Sequence, residues 1–576
     1  MKILGVGPSM EHDPAAALVI DGKVVAAAEE ERFIREKHAF GKPPIKAIEY
    51  CLDEAGIAPE DIDAVAFGWS PSVFNEFKMQ YFRRKFFYSP DRAIKILKKS
   101  NQICRMKTGI VKDICDKTGI DYARTDIHFV EHHLAHASSA YHLSGFKDSA
   151  ILSVDGGGEF TSTLMAESDN GNIRKIKEIC VPDSIGLFYS TLTEYLGFKS
   201  NNGEYKVMGM APYGDPSRID MDHLLSWNDK KKTFKCNDNY VWVKRSQRYD
   251  KEKMYSKACV RDFGPPREGE GLQEPYIHVA AKVQKKLEEI TVKLVDAYLE
   301  KSMREHGNLC FAGGCALNVA LNRILLEKPY IKNLWVQPAS HDAGTSLGAA
   351  IYVASEAGEK IRPMKHAYLG PEFTNDQIAE DLKEFGFPFK FENDIADRTA
   401  ELLHQGKIVG WFQGRMEWGP RSLGSRSILG NPAVKGTADK INAMIKFREK
   451  WRPFCPSILK EHASSILDSD HPAPFMTIAF KVNPEWGKRI PEVVHVDGTC
   501  RPQVVDPETN PKFHNVIEKF YQKTGVPVVI NTSLNRRGEP VVCTPGDALI
   551  MFRESGLEYM AMGDFLVCKN EPKNEY

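Results

Sequence analysis

The run Ala150-Ile151-Leu152-Ser153-Val154-Asp155-Gly156-Gly157-Gly158, followed by residues 161–167, Asn170-Gly171 and residues 173–179, decides how this chain is read. Five apolar or small residues predict a strand, and Asp-Gly-Gly-Gly a polar glycine loop. Asn-Gly between two β-rich segments then predicts a hairpin. The same order stands near the start. Residues 3–6 predict a strand, residues 7–14 a loop, and Ala15–Ile20 meets Lys23–Glu29 across Asp21-Gly22. Two copies of strand, polar loop and hairpin predict a duplicated α/β domain.

Such a duplication resembles the actin and sugar-kinase kind of domain, whose paired loops face one another across a nucleotide cleft. Between the copies, residues 46–55 and 92–117 predict helices. Arg83-Arg84-Lys85 and residues 95–107 make this insert positive, as either a solvated face or a site for an anion or partner. Residues 127–130 are extended, and a helix through Tyr141 then places His132 and His136 four residues apart on one face. Such a pair can chelate one divalent metal or form a hydrogen-bonded couple on a half-buried helix. His133 lies roughly 100° away and is a poor third ligand. It also stands where the zinc-protease motif requires Glu.

Further on, residues 186–196 predict a helix, and residues 203–214, with Glu204 and Lys206, a pocket lining or a packed loop. Residues 215–270 read as an irregular surface insertion. Residues 278–305 predict an amphipathic helix whose polar side includes Lys285, Lys286, Glu288 and Glu289. Asn308–Ala312 predicts a strand ending in Gly313-Gly314-Cys315-Ala316-Leu317-Asn318. A glycine turn there suits either a phosphate or tight strand-to-helix packing. Residues 333–337 lead to Ser340–Gly348, which sets Asp342 between strand and helix, where α/β folds present their chemistry.

Gly358, Pro363, Gly370 and Pro371 mark a boundary, giving domains 1–360 and 361–576. In the second half, Arg415, Arg421, Arg426, Lys446, Arg448, Lys450, Arg452 and Arg501 lie mostly among Gly, Ser and Pro. Residues 528–530 predict a strand that ends in the loop Asn531-Thr532-Ser533-Leu534-Asn535. Cations on loops favour a polyphosphate or carbamoyl-phosphate site over a solvated surface.

Composition narrows the class. The chain has 576 residues, enough for two or three domains, and 77 Lys and Arg against 77 Asp and Glu. Zero net charge gives no bulk attraction to nucleic acid or to a membrane. The 12 cysteines are scattered without a CxxC pair, which suits a reducing cytoplasm. The N-terminus lacks the apolar core of a signal peptide, and no run approaches membrane-spanning length. No membrane partner is therefore expected.

Taken together, His12-Asp13, residues 131–137, Asp155–Gly158, residues 204–214, 312–318 and 341–348 resemble the NodU/CmcH/TobZ family of O-carbamoyltransferases. Residues 415–432, Trp451-Arg452-Pro453-Phe454 and Asn531–Asn535 extend the likeness across the second half. The resemblance implies an N-terminal domain of the actin and sugar-kinase kind and a C-terminal YrdC-like α/β domain. The latter would join ATP, with Mg²⁺, and carbamoyl phosphate into carbamoyl-adenylate. The former would pass the carbamoyl group to a hydroxyl acceptor. By this resemblance His132, His136, Asp155 and Asp342 hold Fe(II) or another divalent metal, and His12 is the general base. Arg421, Lys446, Arg501 and Ser533 act on ATP and carbamoyl phosphate. Gly156, Gly157, Glu204, Lys206, Gly313, Gly314, Asn318, Arg452 and Asn531 bind nucleotide or substrate. A small-molecule acceptor is expected, with a nucleotide acceptor and a homodimer left open. A sugar-kinase-like phosphotransferase and a tRNA threonylcarbamoyl-type transferase are the alternatives.

Overall fold

The structure is a computed structural model that describes residues 1–7, 12–86, 90–241, 248–250 and 252–569. Residues 8–11 of the predicted N-terminal loop, and 242–247 and 251 of the predicted insertion, lie outside the described residues, as do the side chains of Arg84, Lys85, Arg92 and Lys95 in the basic insert. The chain divides into two compact units, one of residues 1–25 and 41–364, the other of residues 26–40 and 365–576.

The N-terminal sheet comprises β1 (Lys2–Val6), β2 (Ala15–Ile20), β3 (Lys23–Glu29), β4 (Ala64–Phe67) and β5 (Asp126–Phe129) in the order β3-β2-β1-β4-β5, all within the first unit except residues 26–29 at the end of β3. β1 runs antiparallel to β2 and parallel to β4, and β4 runs parallel to β5. The second sheet has β6 (Ala150–Val154), β7 (Thr161–Asp169) and β8 (Asn172–Cys180). A separate hairpin, β9 (Leu225–Asn228) and β10 (Thr233–Cys236), follows. β11 (Asn308–Ala312) and β12 (Asn333–Val336) then complete the order β8-β7-β6-β11-β12. Position by position this repeats the first sheet, including the antiparallel and parallel pairings. The duplication expected from the two hairpins is present in the topology.

Helix Gly344–Glu356 is buried along most of its length, and glycine lets it lie close to its neighbours. A Cβ at Gly348 would stand 1.8 Å from the carbonyl oxygen of Ala135, in helix His132–Ser144. A Cβ at Gly5 of β1 would stand 1.9 Å from the carbonyl oxygen of Ser346. These contacts fix the distance between the helix bearing His132 and His136 and the helix that starts just after Asp342.

Two expectations for this unit need correction. The segment 215–270 is not irregular: it holds the β9–β10 hairpin and helix Lys257–Phe263. It also buries Met221, Leu224, Phe234, Val241 and Cys259. Its apolar residues are isolated among polar ones, so no period-2 or period-3.6 pattern stands out. Lys286 is not solvated either. It is buried and paired with the Asp222 carboxylate that the same segment supplies.

The second unit is built on eight strands. β13 (Phe389–Phe391), β14 (Val409–Phe412), β15 (Arg426–Gly430) and β16 (Cys455–Leu459) precede a small pair, β17 (Phe480–Lys481) and β18 (Thr499–Cys500). β19 (Gln503–Val505), β20 (Val528–Ser533), β21 (Tyr559–Met562) and β22 (Phe565–Cys568) follow, and the sheet order is β13-β22-β21-β14-β15-β20-β16-β19. Phe412, Ile428, Val542, Leu549, Phe552 and Met562 are among its buried core. Asn531 and Ser533 stand on β20 rather than on a loop, because β20 stays paired with β15 as far as Ser427↔Ser533.

Residues 26–40 group with this unit, whereas a single cut at 360/361 places them in the first. Their polar anchors explain it. The buried Arg32 guanidinium lies beside Glu29 and Glu31 and donates to the Gly419 carbonyl at 2.7 Å. Arg35 donates to the carbonyls of Val541 at 2.7 Å and Pro540 at 3.0 Å.

Gly348→Ala drives a methyl group into a backbone carbonyl that cannot step aside. The expected cost is about 1–3 kcal/mol, read by calorimetry as a lower midpoint for the first unit. An unchanged midpoint would mean that the two helices are free to separate.

Candidate functional site

The first cluster is organised by a helix that begins directly after β5. His132 and His136, one turn apart, are 3% and 0% exposed, and their Nε2 atoms are 3.2 Å apart. His132 Nε2 is 3.2 Å from Asp155 Oδ2 and 3.6 Å from Asp342 Oδ1. His136 Nε2 is 3.8 Å from each of the same carboxylates. Asp155 stands in the loop joining β6 to β7 and Asp342 in the loop between β12 and helix Gly344–Glu356, so each of these two loops delivers one residue. One ligand atom from each of the four lies within 4.8 Å of the others. Two imidazoles and two carboxylates, buried with their donor atoms converging, suit iron, zinc or manganese.

The electrostatics agree with that convergence. Burial pulls the His132 imidazole down, but the bond to Asp155 and the charge of Asp342 carry it up to about 9. Asp155, despite its burial, is held well below the usual carboxylate range by bonds from His132 and His136. His133 takes no part: its Nδ1 lies 2.8 Å from Ser153 Oγ, and burial pushes its pKa far down. His12 stands at the rim, with Nε2 3.7 Å from Asp342 Oδ2 and Nδ1 3.0 Å from Asp13 Oδ2. Against burial, Asp342 and Asp13 raise it to about 10.

Glu159 was not visible in the sequence as a site residue. Its two carboxylate oxygens accept from the His132 backbone N–H at 3.2 and 3.3 Å, and Oε1 also accepts from the Ser70 N–H. The N-cap residue, Glu131, makes no side-chain capping bond. A carboxylate 27 positions away therefore caps the helix that carries the histidines. Gly158 makes room for His132, since a Cβ there would stand 2.7 Å from the His132 Cβ.

The remaining residues of the first unit are placed as follows. Gly156 and Gly157 follow Asp155, and the Gly156 carbonyl accepts from Ser184 Oγ at 2.9 Å. Gly313 sits at φ +90°, where a Cβ would lie 2.3 Å from the Val154 carbonyl oxygen. The Gly314 N–H donates to Asp155 Oδ1 at 3.1 Å. The peptide hydrogen that the sequence offered to a phosphate is thus spent on orienting Asp155. Glu204 accepts from Ser190 Oγ at 2.7 Å and Asn201 N–H at 2.8 Å, and Lys206 lies over the Phe198 ring. Asn318 caps helix Val319–Leu326 and exchanges two amide bonds with Gln284. These last bonds run to neighbouring elements rather than to the four-residue cluster.

In the second unit, Lys446 ends the π-helical turn Asn442–Lys446 and is buried. Its ammonium donates to the carbonyl and hydroxyl oxygens of Ser533 and to the carbonyl and Oδ1 oxygens of Asn535. All four are neutral. Burial, then the charges of Arg448 and Arg452, hold its pKa well below the ordinary lysine value. Arg452 Nη1 is 3.5 Å from Glu449. Arg501 directs Nε and Nη2 at Cys455 Sγ, at 3.2 and 2.8 Å. Cys455 is opposite Asn531 in the sheet.

Asn531 is fully buried and donates to Ser422 O, Ser457 Oγ and Gln503 Oε1, which makes it a cross-link beneath the site. Glu417 Oε1 accepts from the N–H groups of Leu423, Ser425 and Arg426 and so holds the loop bearing Arg421. Arg426 donates to the carbonyls of Gln413, Gly414 and Pro371, and Arg415 to those of Leu369 and Gly370. Arg421, by contrast, is only half-buried. Cys455 and Glu417, like Glu159, carried no sequence signal.

Residues 2–351 match the family model of the carbamoyltransferase N-terminus, and residues 400–569 that of the carbamoyltransferase C-terminus. The chain belongs to the carbamoyltransferase family of enzymes. It is 36% identical to the uncharacterized protein sll1178 of Synechocystis, over 100% of this chain and 98% of that one. With the nodulation protein NolNO of Sinorhizobium fredii it shares 35% identity, over 98% of this chain and 80% of the relative. The 3'-hydroxymethylcephem-O-carbamoyltransferase of Amycolatopsis lactamdurans is 28% identical over 63% of this chain and 64% of that enzyme. Among solved structures, the ROK hexokinase from Thermus thermophilus overlays with a TM-score of 0.26 at 16% identity, covering 61% of this chain and 98% of that one.

Lys446 gives the second unit a pH signature. A lysine whose folded pKa is depressed binds fewer protons than the unfolded chain between that pKa and the ordinary value of about 10.4, so folding stability rises with pH across the window. Wild type is therefore expected to gain stability relative to Lys446→Met as pH rises towards the ordinary lysine range. Chemical denaturation at a series of pH values measures the difference. A constant difference would mean that the lysine is not desolvated.

Proposed function

We propose that the protein is an ATP-dependent O-carbamoyltransferase that works in two stages, one in each unit. The observation that carries the proposal is the convergence of His132, His136, Asp155 and Asp342 on one point, among residues that match the carbamoyltransferase N-terminus. Those four residues would hold a divalent metal, with Fe(II) the ion that the family resemblance implies. A metal so bound would supply Lewis-acid polarisation of the carbamoyl carbonyl. Gly314 and Glu159 orient the ligands, and burial keeps water from a donor prone to hydrolysis. His12 stands beside the cluster to take the proton of the acceptor hydroxyl. It serves as a base once a cation offsets the charge of Asp342.

The second unit would join carbamoyl phosphate and ATP, with Mg²⁺, into carbamoyl-adenylate with release of pyrophosphate. Bringing two anions together calls for cations held without carboxylate partners. Lys446, bonded only to neutral oxygens, would supply one, with Arg421, Arg452, Arg501 and Ser533 as the further contacts. The acceptor is a hydroxyl-bearing small molecule, and a cytoplasmic location fits the twelve free thiols.

Separating the two stages tests this reading. His136→Ala and Asp342→Asn are expected to lose bound metal, measured by elemental analysis, and transfer to acceptor. Pyrophosphate release dependent on carbamoyl phosphate should persist. Arg421→Ala should do the reverse, losing about 2–5 kcal/mol of binding or barrier in the first stage. Equal loss of both activities in every variant would sink the assignment.

The rim histidine needs its own measurement. His12→Asn should keep its metal and lose roughly 10²- to 10⁴-fold in transfer. Loss of metal together with activity would make His12 a ligand, and retention of both would make it structural.

A further inference from the structure

We propose that the helices Pro71–Phe86 and Pro90–Thr118 form a docking surface for an anionic lipid bilayer. The two pack on each other, with Cys104 Sγ 3.6 Å from the Pro71 carbonyl oxygen, and Phe74, Ala93, Val111, Ile114 and Cys115 are buried. Residues 71–118 contain twelve Lys and Arg and only four Asp and Glu, a net charge of +8 in a chain whose total is zero. The sequence-level expectation of no membrane partner rests on that total, which sets this segment against an excess of acid elsewhere.

The placement of the charges matters as much as their number. Ile94, Lys98, Arg105 and Lys112 are exposed and fall within about 40° of one another on the helical period. Met79, Arg83 and Phe86 make an exposed stripe on the first helix. Arg83, Lys98, Lys99, Arg105 and Lys112 form no ion pair among the described residues, whereas Asp113 is taken up by Lys117 at 2.8 Å.

Apolar side chains stand among these cations: Met79 is 45% exposed, Phe86 39%, Ile94 37% and Met106 44%. A third of the large exposed hydrophobic residues of the described chain thus sit on this one pair of helices. A polynucleotide backbone would use the cations and gain nothing from the methionines and isoleucine. An anionic bilayer surface uses both, the basic groups at the headgroups and the apolar ones just beneath. Neither helix spans a membrane, since no helix among the described residues is long and apolar enough.

Co-sedimentation of the full chain with vesicles tests the proposal. Binding is expected to vesicles of phosphatidylcholine and phosphatidylglycerol in equal mixture, and to be weak with phosphatidylcholine alone. Lys98→Glu with Arg105→Glu should lower the partition coefficient by about tenfold or more. Met79→Ser with Met106→Ser should lower it without changing net charge. These side chains are exposed, so this pair keeps the test intact if the charge-reversed chain does not fold. Equal binding to both vesicle types, or none, overturns the proposal. So does binding to a polyuridine probe as tight as to anionic vesicles and indifferent to the methionine pair, which would assign the surface to nucleic acid.

Discussion

Two aspartates held out of water within reach of each other set the terms for the first unit. Oxygens of Asp155 and Asp342 lie within 4.8 Å of one another. Two like charges at that distance repel by about 3–4 kcal/mol at an effective dielectric constant of about 20. The same negative charges push the His132 and His12 imidazoles up. A divalent cation would relieve the repulsion. The surrounding structure holds the carboxylates where they are: a peptide N–H from Gly314 on one, and on the other a helix too close to its neighbours to shift.

How much of this could be read beforehand depends on the range of the interaction. The two hairpins were legible because turn chemistry is local: Asp21-Gly22 and Asn170-Gly171 specify their turns whatever else surrounds them. The histidine pair was legible because four residues make one helical turn. That Asp155 and Asp342 meet that pair came only from resemblance, since the distance between them in sequence carries no spatial information. Glu159 was missed for the same reason. A carboxylate that caps a helix from 27 positions away looks like any acidic loop residue. The insertion 215–270 misled because its buried side chains are few and unpatterned, and their partners lie elsewhere in the unit.

The second unit separates two kinds of cation that look alike in sequence. Arg415 and Arg426 stand in the same glycine-rich loop as Arg421, yet both spend their donors on backbone carbonyls. Their work is to hold the loop in shape, a task that Glu417 shares from the acidic side. Lys446 is different in kind: a buried ammonium without a carboxylate in its bonding shell is costly to keep. Loop composition does not separate these cations; their hydrogen-bond partners do, with the two arginines holding the loop and Lys446 bonded to neutral oxygens.

The assignment of residues 26–40 to the second unit has a consequence for how such an enzyme can be divided. The chain crosses between the two units three times, after Val25, after Phe40 and after Met364. A gene cut near residue 365 would yield a C-terminal piece without Arg32 and Arg35, leaving the carbonyls of Gly419, Pro540 and Val541 without those donors. The N-terminal piece would meanwhile carry a buried arginine and three buried glutamates stripped of their surroundings. Neither half is a self-contained module in the linear sense. The two units are thereby bound into one polypeptide by topology, and exchange of a whole second unit between related enzymes would have to carry this fifteen-residue loan from the first half along with it.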